Sequence, residues 1–184
     1  MAFTLINDHL SGVLEITTHR HPDERGFFEE LFRADALRTL GVVGEFVQDN
    51  HSCSVKGVIR GLHYQHEPPM GKLLHCLRGE IQVVELDIRA NSPTFGQHVS
   101  IRLNDSDGRM LWIPPGFANG FCVLSNIADV VYKCTAYYNA ASDGAINPLD
   151  PTLHIDWNSQ DPIVSNKDKA APLFTTYSLT PHFY

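Results

Sequence analysis

The chain has 184 residues, of which 43% are apolar, and its 14 basic and 21 acidic side chains give a net charge of −7. This size suits one domain, residues 1–184, with a substantial core, and the acidic balance excludes a general binder of nucleic acid or anionic membranes. The sequence has neither an apolar run of about eighteen residues nor a basic N-terminal flank, so we expect no membrane span and no secretory signal.

Short strand-like runs separated by turn sequences predict an all-β fold, either a sandwich or a barrel. One short helix is predicted at 34–40, where Gly41 would end it, and a second helical turn near 168–171. The predicted strands cover 13–18, 45–48, 81–88, 98–103, 110–113, 121–124 and 129–138.

Alternation along two of these runs predicts which side chains face the interior. Within 98–103, Val99, Ile101 and Leu103 should point inward. Within 129–138, Tyr132 and Tyr138 fall on the more apolar face and should point inward as well. Because a buried phenol needs a polar partner, the interior should hold either a hydrogen-bond acceptor or a ligand.

The four cysteines are widely spaced and form no Cys-x-x-Cys pair. This spacing argues against a zinc knuckle or a dithiol redox site. We therefore expect Cys53, Cys76, Cys122 and Cys134 to be buried, reduced thiols of a cytoplasmic protein.

Residues 51–79 carry four basic side chains against one acidic one, together with four of the ten histidines, so an anionic ligand is expected here. The planar donor fork of Arg60 suits a diphosphate, and the mobile ammonium of Lys72 suits a phosphate or a developing oxyanion. Arg60 and His63 lie three positions apart, which in an extended strand puts them on opposite faces unless a bulge at Gly61 re-aims one of them.

A metal site of the kind found in many small barrels fits this sequence poorly. The His63 to Glu67 stretch has the wrong spacing for two inward ligands on one strand, and Asn119 stands where a further histidine ligand would be needed. Motifs for a serine nucleophile, a P-loop or a dinucleotide are also missing from the sequence. Proton-transfer chemistry remains, with a histidine in a cationic pocket and an inward tyrosine.

Several ordered blocks together resemble the dTDP-4-dehydrorhamnose 3,5-epimerase family over roughly residues 5–175. Any single block would be weak evidence, but their collinear order makes chance agreement very improbable. The blocks are 23–32, 48–50, 57–65, 71–73, 87–89, 92–96, 112–121, 132–135 and 165–168.

The resemblance implies a cupin-like jelly roll, a homodimer that exchanges an N-terminal segment, and neither a metal nor an organic cofactor. The implied reaction is that of an isomerase acting on a nucleotide-diphosphate sugar. It inverts carbons 3 and 5 of dTDP-4-dehydro-6-deoxy-D-glucose to give dTDP-4-dehydro-L-rhamnose, a step towards dTDP-rhamnose for cell-surface polysaccharide.

The resemblance also implies roles for individual residues. His63 would be the general base, oriented by Asp168, and Tyr132 would donate a proton from the opposite face of the sugar. Lys72 would stabilise the enolate oxygen. Substrate-binding positions would be Arg60 and, from the exchanged segment, Arg25 at the diphosphate, with Phe28, Glu30, Gln48, Asn50 and Tyr138 at the nucleotide and sugar.

Two positions depart from the family pattern. Asn119 stands where the family usually has histidine, and Val83 where it usually has aspartate, so a supporting His–Asp pair is expected to be lost as one coordinated change. Asn119 can still donate a hydrogen bond to a substrate oxygen. The alternatives left open are a single-centre epimerase, an epimerase of another 4-keto sugar nucleotide, a non-catalytic sugar-nucleotide-binding jelly roll and a metal-dependent cupin.

Overall fold

Two antiparallel sheets pack against each other in the computed structural model, which describes residues 2–184. One sheet has six strands, and the other has five strands with one short strand added in parallel. Two further strands form a separate hairpin. The predicted all-β jelly roll is thus confirmed.

The element bounds are as follows. The strands are β1 Phe3–His9, β2 Val13–Thr18, β3 Arg20–Asp23, β4 Gly26–Glu29, β5 Gln48–Val55, β6 Val58–Gln65, β7 Lys72–Arg78, β8 Glu80–Asp87, β9 His98–Asn104, β10 Arg109–Ile113, β11 Phe117–Val123, β12 Ile127–Cys134, β13 Asp143–Ala145 and β14 Ile163–Val164. The helices are α1 Ala34–Thr39, α2 Asn166–Lys169 and α3 Phe174–Tyr177, with a 3-10 turn at Pro151–Leu153. The first sheet has the strand order β1-β2-β10-β7-β12-β5, and the second has the order β13-β6-β11-β8-β9, with β14 added parallel to β6. Strands β3 and β4 form the separate hairpin. Within residues 2–184, no helix has the length and apolar character needed to cross a bilayer.

The interior between the sheets follows the alternation of the strands. Ile101 and Leu103 of β9 are buried in it and Val99 packs against it, as predicted. From the facing sheet, Leu74 of β7 and Val130 of β12 enter the same cluster. Apolar side chains of both sheets therefore form one core between them.

Two strand predictions were wrong at their ends. Residues 45–47 lie outside β5, which begins at Gln48, and β12 ends at Cys134 rather than at 138. Cys134 pairs with Gln48 on one side and with Lys72 on the other, and each of these is the terminal residue of its strand. The ladder ends there because both neighbours end, although the sequence alternation continues.

The first predicted helix is present as α1, with Leu40 at its C-cap and Gly41 after it at a φ of +98°. That backbone angle favours glycine, which explains the stop. The second helix begins earlier than predicted, because the side chain of Ser165 caps it by accepting a hydrogen bond from the backbone N–H of Asp168. Asp168 is therefore inside the first turn of α2 rather than at its start.

The cysteine prediction holds for three of the four positions. Cys76, Cys122 and Cys134 are buried, whereas Cys53 on β5 is exposed. Burial raises the pKa of the Cys76 thiol to about 12 and that of Cys122 to about 11. These two thiols therefore behave as small apolar side chains at neutral pH.

Gly61 lies where β6 comes very close to β11. Its φ is +135°, and a Cβ there would lie 2.5 Å from the Cα of Gly120. The pairing of the two strands shifts register between Asn119 and Phe121, opposite this point. The predicted irregularity is therefore present, and it brings Arg60 and His63 to the same cavity.

Asp87 is fully buried at the end of β8, where it organises the turn that follows. Its carboxylate accepts hydrogen bonds from Arg89 Nη2 at 2.7 Å and from the hydroxyls of Ser92 and Thr94, both at 2.6 Å. Burial by itself would raise the pKa of Asp87, but these donors outweigh it and hold the pKa below the ordinary 3.8. The 87–89 and 92–96 blocks are thus structural.

We expect Asp87→Asn to lower the free energy of unfolding at pH 7 by roughly 1.5–3 kcal/mol, because the charge-assisted hydrogen bonds are lost. The stabilisation from Asp87 is complete above the ordinary pKa of 3.8 and disappears as the pH falls through the lowered folded value. Urea unfolding at pH 7 and pH 3 should therefore give a difference between the proteins that shrinks at pH 3. Asp49→Asn, which removes an exposed partner of Lys133, is the control and should leave stability nearly unchanged. A deficit that is the same at both pH values would contradict the role given to the Asp87 charge.

Candidate active site

A cavity of about 790 Å³ opens between the two sheets. Side chains from both sheets and from the segment around α2 form its wall. Of the residues that the sequence suggested, those that line it are Gln48, Asn50, Arg60, His63, Lys72, Asn119, Tyr132, Tyr138 and Asp168.

His63 of β6 and Asp168 of α2 form a hydrogen-bonded pair at the cavity wall. The distance from His63 Nε2 to Asp168 Oδ1 is 2.7 Å, and the Asp168 side chain is only 5% exposed. Burial would raise the pKa of Asp168, but the hydrogen bond and charge of His63 hold it below the ordinary value. An ionised Asp168 accepts the proton of Nε2, which leaves Nδ1 of a neutral imidazole as the basic nitrogen.

Asp168 reaches His63 through two local features of the C-terminal part of the chain. Strand β14 pairs in parallel with the first residues of β6, with Ile163 opposite Val58. Ser165 then starts α2 and turns the chain, so that Asp168 comes back along β6. Sequence reasoning could suggest this contact only through the resemblance, because β14 is two residues long and gives almost no pattern.

Tyr132 lies on the opposite sheet from His63. It projects inward from β12, packs against the core, and lines the cavity, as the alternation predicted. Burial raises the pKa of its phenol above the ordinary value of 10.0, so the hydroxyl keeps its proton at neutral pH. The cavity therefore has a basic nitrogen on one wall and a phenolic proton on the other.

Lys72 begins β7 between these two walls. Its ammonium donates to the backbone carbonyl of His63 at 3.3 Å and lies 5.8 Å from the centre of the Tyr132 ring. Burial lowers the pKa of Lys72, and the negative charge of Glu85 opposes this effect. The ammonium is the group best placed to meet negative charge that develops near His63.

The cationic lining differs in part from the one expected for residues 51–79. Arg60 and Lys72 line the cavity, but Lys56 and Arg78 lie elsewhere, and Lys167 of α2 joins instead. Arg60 Nε donates to Ser54 Oγ at 3.0 Å, which fixes its planar head at the mouth. The positively charged residues of the lining therefore come from distant parts of the sequence. A charge count over residues 51–79 could not include Lys167.

The nucleotide and sugar positions suggested on β5 are held by hydrogen bonds. Gln48 Nε2 donates to Asn50 Oδ1 at 3.0 Å, and Gln48 Oε1 accepts from the backbone N–H of Tyr138 at 2.9 Å. Tyr138 is 59% exposed at the cavity mouth, so the prediction that it points into the barrel was wrong. It lies four residues beyond the end of β12 and no longer follows the alternation of that strand.

Asn119 has a carboxylate partner that the sequence analysis missed. Its Nδ2 donates to Glu85 Oε1 at 2.6 Å, and Glu85 is fully buried. Val83 is buried in the apolar core, and the acid Glu85 follows it at the next position of β8 that faces inward. The period of two puts residues 83 and 85 on the same face, which was the available signal.

The hairpin of β3 and β4 lies apart from the cavity of its own chain. In the described residues of this chain, Arg25, Phe28 and Glu30 are outside the cavity lining. The Arg25 side chain is 83% exposed and contacts Asp23, and Phe28 is 72% exposed. At the base of the hairpin, Arg20 Nε donates to Glu29 Oε2 at 2.9 Å. Arg20 Nη1 donates to the backbone carbonyl of Asp105 at 2.8 Å, which connects the hairpin to the rest of the chain.

Comparison with known proteins gives consistent matches over most of the chain. The sequence profile of the family described as dTDP-4-dehydrorhamnose 3,5-epimerase matches residues 7–176. A dTDP-4-dehydrorhamnose 3,5-epimerase of Shigella flexneri is 50% identical over 166 residues, which cover 89% of this chain and 92% of that protein. The enzyme of the same name from Methanothermobacter thermautotrophicus is 44% identical and covers 91% of this chain and 92% of its own.

A solved structure agrees with these matches. The dTDP-6-deoxy-D-glucose-3,5-epimerase of Legionella pneumophila Philadelphia 1, in complex with dTDP-4-keto-L-rhamnose, superposes with a TM-score of 0.91. The two sequences are 47% identical, and the superposition covers 94% of this chain and 93% of the other.

Proposed function

The chain belongs to the dTDP-4-dehydrorhamnose 3,5-epimerase family, and from this premise we propose that it inverts carbons 3 and 5 of dTDP-4-dehydro-6-deoxy-D-glucose. The product is dTDP-4-dehydro-L-rhamnose, for dTDP-rhamnose biosynthesis. The observation that carries the proposal is the placement of His63 and Tyr132 on opposite sheets around one cavity.

The chemistry of the substrate requires such an arrangement. The 4-keto group acidifies the hydrogens on both neighbouring carbons, so a base can remove either one and leave an enolate. Protonation from the opposite face of the ring then inverts that carbon. A base and an acid on the same wall would only return the original configuration.

Each step has a residue suited to it. His63 takes the proton on Nδ1, and Asp168 stabilises the imidazolium that forms. Lys72 stabilises the enolate oxygen, a role in which losing one donor costs about 2.7–4 kcal/mol. Tyr132 gives its phenolic proton to the other face, which its raised pKa supports by keeping the hydroxyl protonated. Arg60 binds the diphosphate with its planar donors.

We propose further that the active unit is a homodimer in which the hairpin of one copy completes the cavity of the other. The exposed Phe28 and the largely exposed Arg25 support this, because an aromatic ring and a guanidinium held away from their own cavity suit a nucleotide base and its diphosphate. Sedimentation at micromolar concentration should give twice the mass of 20.6 kDa, and a monomer that turns over substrate would refute the exchange.

Four cysteines without disulfide partners within residues 2–184 support a cytoplasmic location.

Proton exchange in deuterium oxide tests the function directly. The protein is incubated with dTDP-4-dehydro-6-deoxy-D-glucose, and the sugar proton signals are followed by NMR. We expect the signals at carbons 3 and 5 both to disappear as deuterium enters, with the appearance of the inverted sugar.

The other outcomes separate the alternatives. Exchange confined to one carbon would make the protein a single-centre epimerase. Binding without exchange at either carbon would favour a non-catalytic sugar-nucleotide-binding jelly roll. Absence of both binding and exchange would refute the proposed substrate and call for other 4-keto sugar nucleotides.

A further inference from the structure

Three polar residues on neighbouring strands form a row on the inner face of the second sheet. Asn119 of β11 lies directly opposite His63 of β6 on one side and directly opposite Glu85 of β8 on the other. Directly paired residues of antiparallel strands have side chains on the same face, about 4.5–5.5 Å apart. The amide of Asn119 thus lies between the general base and a buried carboxyl group.

The carboxyl group of Glu85 is isolated from solvent. The residue has no exposed surface, and among residues 2–184 its Oε2 has no hydrogen-bond partner. Burial raises the pKa of Glu85 well above its ordinary value, which Lys72 and Asn119 only partly oppose. Oε1 can accept the hydrogen bond from Asn119 Nδ2 whether Glu85 is ionised or carries its proton on Oε2.

This contact decides which end of the Asn119 amide is available to a ligand. Nδ2 is directed at Glu85 Oε1 at 2.6 Å, and Asn119 lines the cavity. The opposite end of the planar amide is Oδ1, an acceptor, which within the described part of the chain has no hydrogen-bond partner. A histidine at this position would be able to present a donor, whereas Asn119 held in this way presents an acceptor.

We propose that Glu85 is a positioning residue, which fixes the amide of Asn119 so that Oδ1 accepts a hydrogen bond from a hydroxyl of the bound sugar. The inference rests on the proposed function, since the ligand is taken to be a nucleotide-linked sugar. It changes the role expected for Asn119 from hydrogen-bond donor to acceptor. The pair would favour sugars that keep a hydroxyl beside the reacting carbons.

Binding of two probes tests the proposal without depending on turnover. The first probe is dTDP, which has no sugar ring beyond the nucleoside, and the second is dTDP-glucose, which has hydroxyls but no keto group to react. Calorimetry on Glu85→Leu should give a Kd for dTDP within about twofold of wild type. The Kd for dTDP-glucose should rise about tenfold, the usual effect of one lost hydrogen bond.

Four further variants separate positioning from charge and packing. Glu85→Gln keeps a carbonyl acceptor for Asn119 but removes the ionisable group, so it should stay within about threefold of wild type for both probes. Asn119→Ala should reproduce the tenfold loss for dTDP-glucose, and adding Glu85→Leu to it should cause no further loss. Val84→Ala, on the other face of β8, should lower the Tm without changing the ratio of the two Kd values.

The division of the effect between KM and kcat is a readout that a purely structural role would not move. With the 4-keto substrate, Glu85→Leu should raise KM about tenfold with little change in kcat.

Several results would overturn the proposal. An unchanged ratio of Kd values in Glu85→Leu would mean that Glu85 does not act on the sugar site. A loss in Glu85→Gln equal to that in Glu85→Leu would assign the effect to charge near Lys72 instead. If wild type binds dTDP-glucose but never exchanges protons of the 4-keto substrate, the proposed function fails while the Glu85 test still gives its answer.

Discussion

Replacement of His63 by alanine is expected to lower kcat/KM by at least roughly 10²–10⁴-fold, because a positioned general base contributes that much to proton abstraction. Both exchange with solvent and net inversion should fall together, since each needs the enolate. Binding of dTDP should persist, because Arg60 and the β5 amides remain. Initial rates by NMR, with the protein concentration raised for the variant, measure the effect.

A second histidine–carboxylate pair supplies a matched control for this substitution. His9 contacts Glu15 at 3.1 Å in the first sheet, outside the cavity. His9→Ala removes a histidine from a comparable pair and should keep wild-type turnover. If His63→Ala also keeps wild-type turnover, His63 is not the base.

Replacement of Tyr132 by phenylalanine is expected to separate two activities that wild type performs together. Net inversion should fall roughly 10²–10⁴-fold, because the second face of the sugar loses its proton donor. Exchange with deuterium oxide should fall much less, since His63 and Lys72 still form the enolate and return deuterium from the original face. Parallel measurement of deuterium content and product configuration gives the ratio directly.

Tyr137→Phe is the matched control, because Tyr137 is 69% exposed in the loop after β12 and loses the same hydroxyl group. It should leave both activities at the wild-type level. Equal losses of exchange and inversion in Tyr132→Phe would contradict a role confined to reprotonation and would place Tyr132 in the formation of the enolate.

The sequence predicts those parts of the fold that depend on local pattern. The inward positions of β9 and of Tyr132 follow from alternation, and the end of α1 follows from Gly41. The end of β12 was missed because it depends on where two other strands end. Strand ends in a sheet are set by their neighbours, and this information lies elsewhere in the chain.

In the site too, residues could be suspected from their local sequence, whereas contacts between distant residues could not. Lys72 and Arg60 could be suspected from their chemistry and from nearby glycines. The Asp168 contact needed the resemblance, since β14 and α2 are too short to give a pattern. Alternation along β8 could place Glu85 on the inner face, but its contact with Asn119 depends on the register of β8 against β11, which the sequence does not give.

The hydrogen bond between His63 and Asp168 joins residues 105 positions apart. Closing so long a loop costs more chain entropy than closing the β1–β2 or β8–β9 hairpins. Strand β14 pairs with β6 over the same separation in the chain, with Ile163 opposite Val58, so the general base and its partner meet only when the second sheet is complete. Recovery of activity during refolding should therefore not precede recovery of the circular dichroism signal of the strands, and earlier recovery would contradict this dependence. Catalytic competence thus requires the completed fold.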